Sequence, residues 1–276
     1  MMYRFILASL LAALAAAETG IDAWLRYAPL PRQHRAQFSV PSAIVALNST
    51  KSSPVYTAGQ ELQQGYAGIF GKDVEVCHTK RNGHTIVVGT VDAYTSAYGA
   101  LSGGAPDLED DGYWLSNQGS TVQILGQNER GALYGAFEYL SMLAQGNASK
   151  VAYATSPKNQ IRWTNEWDNM DGTIERGFGG GSIFFADGEV VGDLSRAREY
   201  ARILASVGVN GVVVNNVNVS SIMEGSATTL YNLLTTRSRP TTQPSTAKTS
   251  PASAASLTSS APTASSSVSP STSPAR

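Results

Sequence analysis

The chain has one cysteine, Cys77, in 276 residues. That excludes an intrachain disulfide, so a part of it working outside the cell must be held by its core alone. Histidine is almost as scarce. His34, His78 and His84 stand at no metal-ligand spacing, so no metal site, no Ser-His-Asp constellation and no cofactor is expected. Cations are short too, with 20 Lys and Arg against 21 Asp and Glu. Four of them, Arg237, Arg239, Lys248 and Arg276, fall in an acid-free C-terminal stretch, and Arg4 lies near the other end. Residues 18–234 are left at about −6, which offers no basic face to a nucleic acid. Long apolar runs are missing as well. The run Phe5–Leu14 is well short of the roughly 20 residues that cross a bilayer.

What that run does resemble is the apolar centre of a secretory signal. Arg4 supplies the charged start and Ala15-Ala16-Ala17 the small residues before a cut between Ala17 and Glu18. The expectation is a secreted, extracellular protein with no membrane partner once residues 1–17 are removed. Three acceptor sequons agree with export: Asn48-Ser-Thr, Asn147-Ala-Ser and Asn218-Val-Ser.

Residues 18–157 alternate between strand and helix signals. A strand is predicted within Phe38–Leu47. A helix follows, capped by Ser53 with Pro54 at its first position, burying Val55, Leu62, Tyr66 and Ile69 and ending at Gly71. Short strands are predicted at Val74–Cys77 and Thr85–Thr90, and a hairpin joins Gly112–Ser116 to Thr121–Leu125. Asn128 caps a second helix with Leu133, Phe137, Leu140 and Ala144 on one stripe. This reads as a small, autonomous α/β sheet-and-helix domain.

A second unit spans residues 158–222. A strand over Ile161–Asn165 leads through a long polar loop to a helix begun by Asp193, with Leu194, Ala197, Ala201 and Leu204 on its apolar face. A buried valine-rich strand follows within Val209–Val217. That is one βαβ unit. Residues 223–276 form a tail, which from Thr235 is Ser, Thr, Pro and Ala with no aromatic, and disorder is the expectation for it. It reads either as an O-glycosylated secreted tail or as the product of a shifted frame or retained intron.

Ile161–Phe185 concentrates site-forming groups. It holds Trp163 and Trp167, the carboxylates of Glu166, Asp168, Asp171 and Glu175, Arg162 and Arg176, and the run Gly177-Phe-Gly-Gly-Gly181. A flat ring beside carboxylates and amides suits a sugar, the ring covering C–H groups and the polar groups the hydroxyls. Trp167 reads as the lining of a sugar subsite. Trp163, inside the strand, reads as core. Asn165, Asp168 and Asn169 bind hydroxyls or fix the loop. The glycines lack the Lys-Ser/Thr ending of a phosphate loop and read as backbone freedom.

At these residues the sequence resembles the microbial α-glucuronidases of glycoside hydrolase family 67. The resemblance begins at Glu18-Thr-Gly-Ile-Asp-Ala-Trp-Leu-Arg-Tyr-Ala-Pro-Leu30 and recurs at Gly126-Gln-Asn-Glu-Arg-Gly-Ala-Leu-Tyr-Gly135. It is strongest at Ile161–Phe185 and Val209–Asn218, and covers residues 18–219. It implies a small N-terminal α/β sheet-and-helix domain, a central (β/α)8 barrel of which this chain holds the first βαβ portion, and a C-terminal helical region; the disordered Ser/Thr/Pro-rich tail stands outside the resemblance. It implies release of 4-O-methylglucuronic acid from glucuronoxylan-derived xylo-oligosaccharides, with inversion. Trp167 and Val217 match the positions that form the family's apolar pocket around the uronic acid and its methyl group; Asn165, Asp168 and Asn216 are candidate substrate ligands beside them. The family's general acid, carboxylate bases and uronate-holding cations lie further along the barrel. The expectation is therefore an N-terminal portion with no catalytic residue of its own and no activity as it stands. The alternatives are a secreted carbohydrate-binding module and a mucin-like interaction protein.

Overall fold

The computed structural model describes residues 20–148 and 151–216. The signal-like segment with Ala17 and Glu18, the pocket candidate Val217, the sequon at Asn218 and the tail lie outside the described residues. No helix among the described residues is long and apolar enough to cross a membrane.

Two short helices, α1 (Gly20–Trp24) and α2 (Arg32–Arg35), precede the first strand, β1 (Ala43–Ala46). Then come α3 (Pro54–Phe70), β2 (Val76–Cys77), β3 (Thr85–Thr90), α4 (Val91–Tyr98), β4 (Tyr113–Gln118), β5 (Thr121–Gly126), α5 (Glu129–Ala144) and β6 (Ala152–Thr155). The six strands form one mixed sheet in the order β2-β1-β3-β5-β4-β6. β2, β1, β3 and β5 run parallel, and β4 and β6 close one edge antiparallel.

Alternation along the strands decides what each face packs against. Ile44, Ala46, Ile86, Val88 and Ile124 turn to α3 and α5 and form the main core with Leu62, Ile69, Leu140 and Leu143. Ala43, Val45, Val87 and Cys77 turn the other way and are covered by Tyr94 and Tyr98 of α4. β1 is buried on both faces, hence its unbroken apolar run.

Three caps stand where the sequence puts them; at the helix Ser195–Ser206 the N-cap position falls to Leu194 instead of Asp193, which accepts from the Ser195 amide at 2.9 Å. Ser53 accepts from the Val55 amide, Asn128 from the Gly131 amide, and Gly71 ends α3 in the left-handed region at φ 65°. The hairpin is tighter than expected. Gln118 pairs with Thr121, leaving a two-residue loop in which Gly119 takes φ 61°. Of the stripe expected on α5, Phe137 and Leu140 are buried and Leu133 packs against the core. Ala132, Ala136, Tyr139, Leu140 and Leu143 lie in the core, whereas Ala144 is exposed.

The second half comprises β7 (Trp163–Glu166), a hairpin of β8 (Phe185–Ala186) and β9 (Glu189–Val190), α6 (Ser195–Ser206) and β10 (Gly211–Val214). β7 and β10 pair in parallel, Trp163 opposite Gly211 and Glu166 opposite Val214. α6 covers one face of this pair, its Tyr200 hydroxyl donating to Thr164 at 3.3 Å and to Glu166. No element among the described residues covers the other face, with Trp163, Asn165, Gly211 and Val213, and this corrects two expectations. Trp163 is 56% exposed rather than core, and the valines of β10 are half-buried rather than buried. Ala201 is likewise exposed; Ala197 is the buried residue of the helix.

Two polar clusters join this half to the sheet domain. The first centres on Asp111, which is buried and stands at φ 61°. It accepts from Arg130 Nε at 2.9 Å and Asn128 at 3.0 Å on one side, and from Arg162 at 2.9 Å and Asn210 at 3.2 Å on the other. Burial by itself would raise this carboxyl; the donors from Arg130, Arg162, Asn128 and Asn210 outweigh it and hold the pKa at about 2. The second cluster joins Glu61 of α3 to Arg202 of α6 and to Tyr27.

Candidate functional site

Beyond the carboxyl end of β7 the chain folds into a self-bonded loop. The Trp167 carbonyl accepts from the Glu175 amide at 2.6 Å, Asp168 bridges Ile174, and Thr173 bridges Gly181. Asn169 is the internal staple. It is buried, its amide donates to the Thr173 carbonyl at 2.8 Å, and its side-chain Nδ2 donates to Thr173 Oγ1 at 2.9 Å and to the Glu175 carbonyl at 2.8 Å. Its Oδ1 is buried with no hydrogen-bond partner among the described residues.

Ser182 closes the loop from the far side. Its hydroxyl accepts from the amides of Phe184 and Phe185 at 3.0 and 3.1 Å, and its own amide donates to the Gly172 carbonyl. Phe184 and Phe185 then anchor the loop in a small core with Ala197, Leu194 and Val214.

The four carboxylates of this region do different things. Asp168 is buried. That burial raises its carboxyl pKa, the Glu166 charge adds to the rise, and a hydrogen bond from Ser182 opposes it. Glu166 accepts from the Tyr200 hydroxyl. Asp171, on the surface, accepts from both the hydroxyl and the amide of Thr173, which lower its pKa. Glu175 stands at φ 55° in the turn of the loop. All four come from one strand end and the loop attached to it.

What this framework leaves outward is Trp167, 44% exposed. At the same end of the strand pair, Asn215 Nδ2 donates to Asn165 Oδ1 at 2.6 Å and the Asn215 amide donates to the Glu166 carbonyl at 2.7 Å. Asn216, half-buried, follows directly. Of the residues the sequence singles out, Asn165 is thus tied across the two strands, Asp168 and Asn169 lie inside the loop, and Trp167 faces solvent. Arg162, one of the two cations of this segment, is at the opposite end of β7 and committed to Asp111. Arg176 is exposed.

Tyr200, Ser182 and Asn215 escape the sequence reading. Tyr200 carries a signal in its spacing, three residues after the buried Ala197 and so on the same helical face. Ser182 carries none, since its role depends on how the loop returns.

A parallel strand pair joined through a helix, with a polar loop beyond the strand carboxyl ends, is the layout of an α/β enzyme unit. The sequence comparisons give that layout a family. Residues 23–139 match the Glycosyl hydrolase family 67 N-terminus and residues 142–236 match the Glycosyl hydrolase family 67 middle domain. The chain belongs to glycoside hydrolase family 67. It is 61% identical over 209 residues to a protein of Neosartorya fischeri named "Probable alpha-glucuronidase A", covering 75% of this chain and 25% of that one. A protein of the same name from Aspergillus terreus is 56% identical over 217 residues, 78% of this chain and 26% of the other. The chain spans about a quarter of the length of the curated relatives it matches. Among solved structures, a family GH115 4-O-methyl-alpha-glucuronidase with specificity for decorated arabinogalactans superposes with a TM-score of 0.45 at 15% identity, over 63% of this chain and 25% of that one.

Proposed function

We propose that this chain carries the N-terminal domain (residues 18–157) and the opening βαβ unit (residues 158–222) of the (β/α)8 barrel of a secreted α-glucuronidase. The reaction we assign to the whole enzyme is inverting release of 4-O-methylglucuronic acid from glucuronoxylan-derived xylo-oligosaccharides. Trp167 lines the uronic acid pocket, with Val217 as its apolar partner and Asn165, Asp168 and Asn216 as flanking polar groups. Asp168 serves by holding the loop. Residues 1–17 act as the signal, cut between Ala17 and Glu18, and Asn48, Asn147 and Asn218 are the glycan acceptors.

One observation carries the reading. In a chain of this family, a half-exposed tryptophan ring is held at the carboxyl end of a parallel strand by a loop closed through the side chains of Asn169, Thr173 and Ser182. Barrel enzymes place substrate contacts at that end. The uncovered face of β7 and β10 gives separate support. In a barrel the helix covers the outside, so this face becomes the lumen once further strands close round it.

No catalytic residue is assigned within this chain. Inversion needs two carboxyl groups flanking the sugar, roughly 6.5–9.5 Å apart with water between them. Glu166, Asp168, Asp171 and Glu175 approach from one side, Asp168 is buried and Glu166 is engaged by Tyr200.

The test uses aldotetraouronic acid. In a complete family member carrying these residues, Trp167→Ala should lower turnover by roughly a hundredfold with unfolding unchanged. An unaltered rate would place Trp167 outside the pocket. The 276-residue chain alone should release no 4-O-methylglucuronic acid above a boiled control. Release abolished by Glu166→Gln would instead make the loop carboxylates catalytic.

A further inference from the structure

The opposite end of the strand pair holds a second concavity. Arg162 and Gly208 stand just before β7 and β10, and there the sheet domain and the βαβ unit line an open crevice of about 340 Å³. Two tyrosines of the sheet edge, Tyr113 on β4 and Tyr153 on β6, form one wall, their rings 6.2 Å apart and tilted by 60°. Tyr134 and Glu138, one turn apart on α5, form another. Tyr153 is 43% exposed, and the remaining lining includes the hydroxyl residues Thr155 and Ser206. β7 is four residues long. At roughly 3.3 Å per residue, the crevice is on the order of 13 Å from Trp167 and separate from it.

We propose that this crevice is a second carbohydrate site, taking a neutral pyranose unit such as xylose. The reasoning concerns size, charge and ring faces. The volume is at the lower end of the range of about 300–1,000 Å³ usual for small-molecule sites, enough for one or two sugar rings. Asp111 at its inner end is bonded by two cations, Arg130 and Arg162, so that with Glu138 the two acids and two bases of the crevice and its backing cancel and favour a neutral ligand. The Glu138 carboxylate there accepts hydrogen bonds from sugar hydroxyls.

Aromatic rings beside a carboxylate can also hold an organic ammonium group. Here the Tyr134 ring already has the Arg162 guanidinium 5.6 Å from its centre, so the cage is partly filled by the protein's own cation. The rings left, Tyr113 and Tyr153, make a tilted platform that suits the C–H face of a pyranose. Burial and the Glu138 charge raise the Tyr113 pKa, so its hydroxyl stays protonated and able to donate to a sugar oxygen at any working pH. The proposal does not depend on Trp167, and its failure would leave the uronate-pocket reading untouched.

Xylotriose titrated into the full chain, followed by saturation-transfer NMR and calorimetry, tests it. Binding should be seen, and Tyr153→Ala and Glu138→Gln should each weaken it by roughly fivefold or more. Tyr153→Phe, which keeps the ring, should retain most of it. Tyr153 is on the exposed edge strand, so circular dichroism of Tyr153→Ala should match the parent chain. Glucuronate and tetramethylammonium should not displace xylotriose. Absent binding, binding indifferent to Tyr153→Ala, or displacement by either ion would overturn the proposal.

Discussion

Arg202 of α6 grips Glu61 of α3 through two parallel hydrogen bonds, Nε to Oε2 at 2.8 Å and Nη2 to Oε1 at 2.6 Å. The Tyr27 hydroxyl donates to the same Oε1 at 2.5 Å. The Glu61 side chain is 5% exposed and that of Arg202 is 23% exposed, so the pair is largely withdrawn from water. Planar two-point pairing of this kind is strong and directional. Residue 61 and residue 202 come from the two halves of the described chain, and their pairing fixes one half on the other.

Removing the carboxylate should therefore be costly. Glu61→Ala leaves a guanidinium and a tyrosine hydroxyl without their acceptor. Loss of one partner of a fully buried pair costs roughly 3–5 kcal/mol; partial exposure of Arg202 brings the expectation to about 2–4 kcal/mol. Urea unfolding measures it. A change below about 0.5 kcal/mol, the size of an ordinary surface substitution, would mean that the pair adds nothing.

The Asp111 cluster should leave a signature in acid. Its carboxyl is lowered from 3.8 to about 2 in the folded chain. A depressed acid contributes stability that is complete above the unfolded value and is lost as pH falls through the folded one. The window is thus about pH 4 down to about pH 2, and the contribution is at most about 2 kcal/mol. Asp111→Asn should be less stable than the parent at pH 7, with the gap closing as pH drops through that window. A gap constant between pH 7 and pH 2 would refute the assignment.

Asp168 should behave in the opposite sense. Its carboxyl is raised by burial, so the charged form is the disfavoured one in the folded loop. Ionisation at neutral pH costs stability, and that cost disappears as pH falls through the folded pKa. Asp168→Asn keeps the shape and an acceptor for Ser182 without the charge. It should be at least as stable as the parent at pH 7, unlike Asp111→Asn. Differential scanning of the two variants side by side checks this, and a drop at Asp168 as large as that at Asp111 would show that its charge is needed.

The two clusters also alter the expected proteolytic pattern. The sequence reading makes residues 18–157 the autonomous part. In the structure Arg162, Asn210 and Arg202 cross that boundary, as do the Tyr134 hydroxyl, bonded to the Val209 carbonyl at 3.2 Å, and the Trp24 indole, bonded to Ser206 at 3.0 Å. Limited trypsin digestion should leave a resistant fragment that extends past Val214. A stable product ending near Pro157 would mean that these contacts do not hold in solution.

What the sequence reveals here is what local chemistry decides. The Ser53 and Asn128 caps, the Gly71 stop and the hairpin at Gly119 follow from side chains that bond their own backbone or permit positive φ. β6 was not predicted, because Ala152-Tyr-Ala-Thr155 has too little alternation to stand out. It is a strand because β4 offers it a free edge. α4 was missed for a similar reason: its cap at Thr90 coincides with the last residue of β3. At the candidate site, Trp167 is prominent in the sequence, and its ring is 44% exposed. Trp163 misled, since an aromatic within a strand reads as core unless the absence of a covering layer is known. The commitment of Arg162 to Asp111 is not legible either, because its partner is 51 residues away in sequence. Long-range pairing leaves no periodic mark.

The uncovered face of β7 and β10 has a consequence for biosynthesis. A chain emerging from the ribosome completes its sheet domain first, at about 5–20 residues per second. When residues 161–214 follow, Asp111 and Glu61 are already in place to receive Arg162, Asn210 and Arg202. The first two parallel strands are then held in a fixed orientation, with β7 and β10 in register, before anything later is made. In a longer member of the family, the next strand would add to a finished edge instead of searching for one. On the barrel proposed above, the N-terminal domain serves as the mould on which the ring of strands is started.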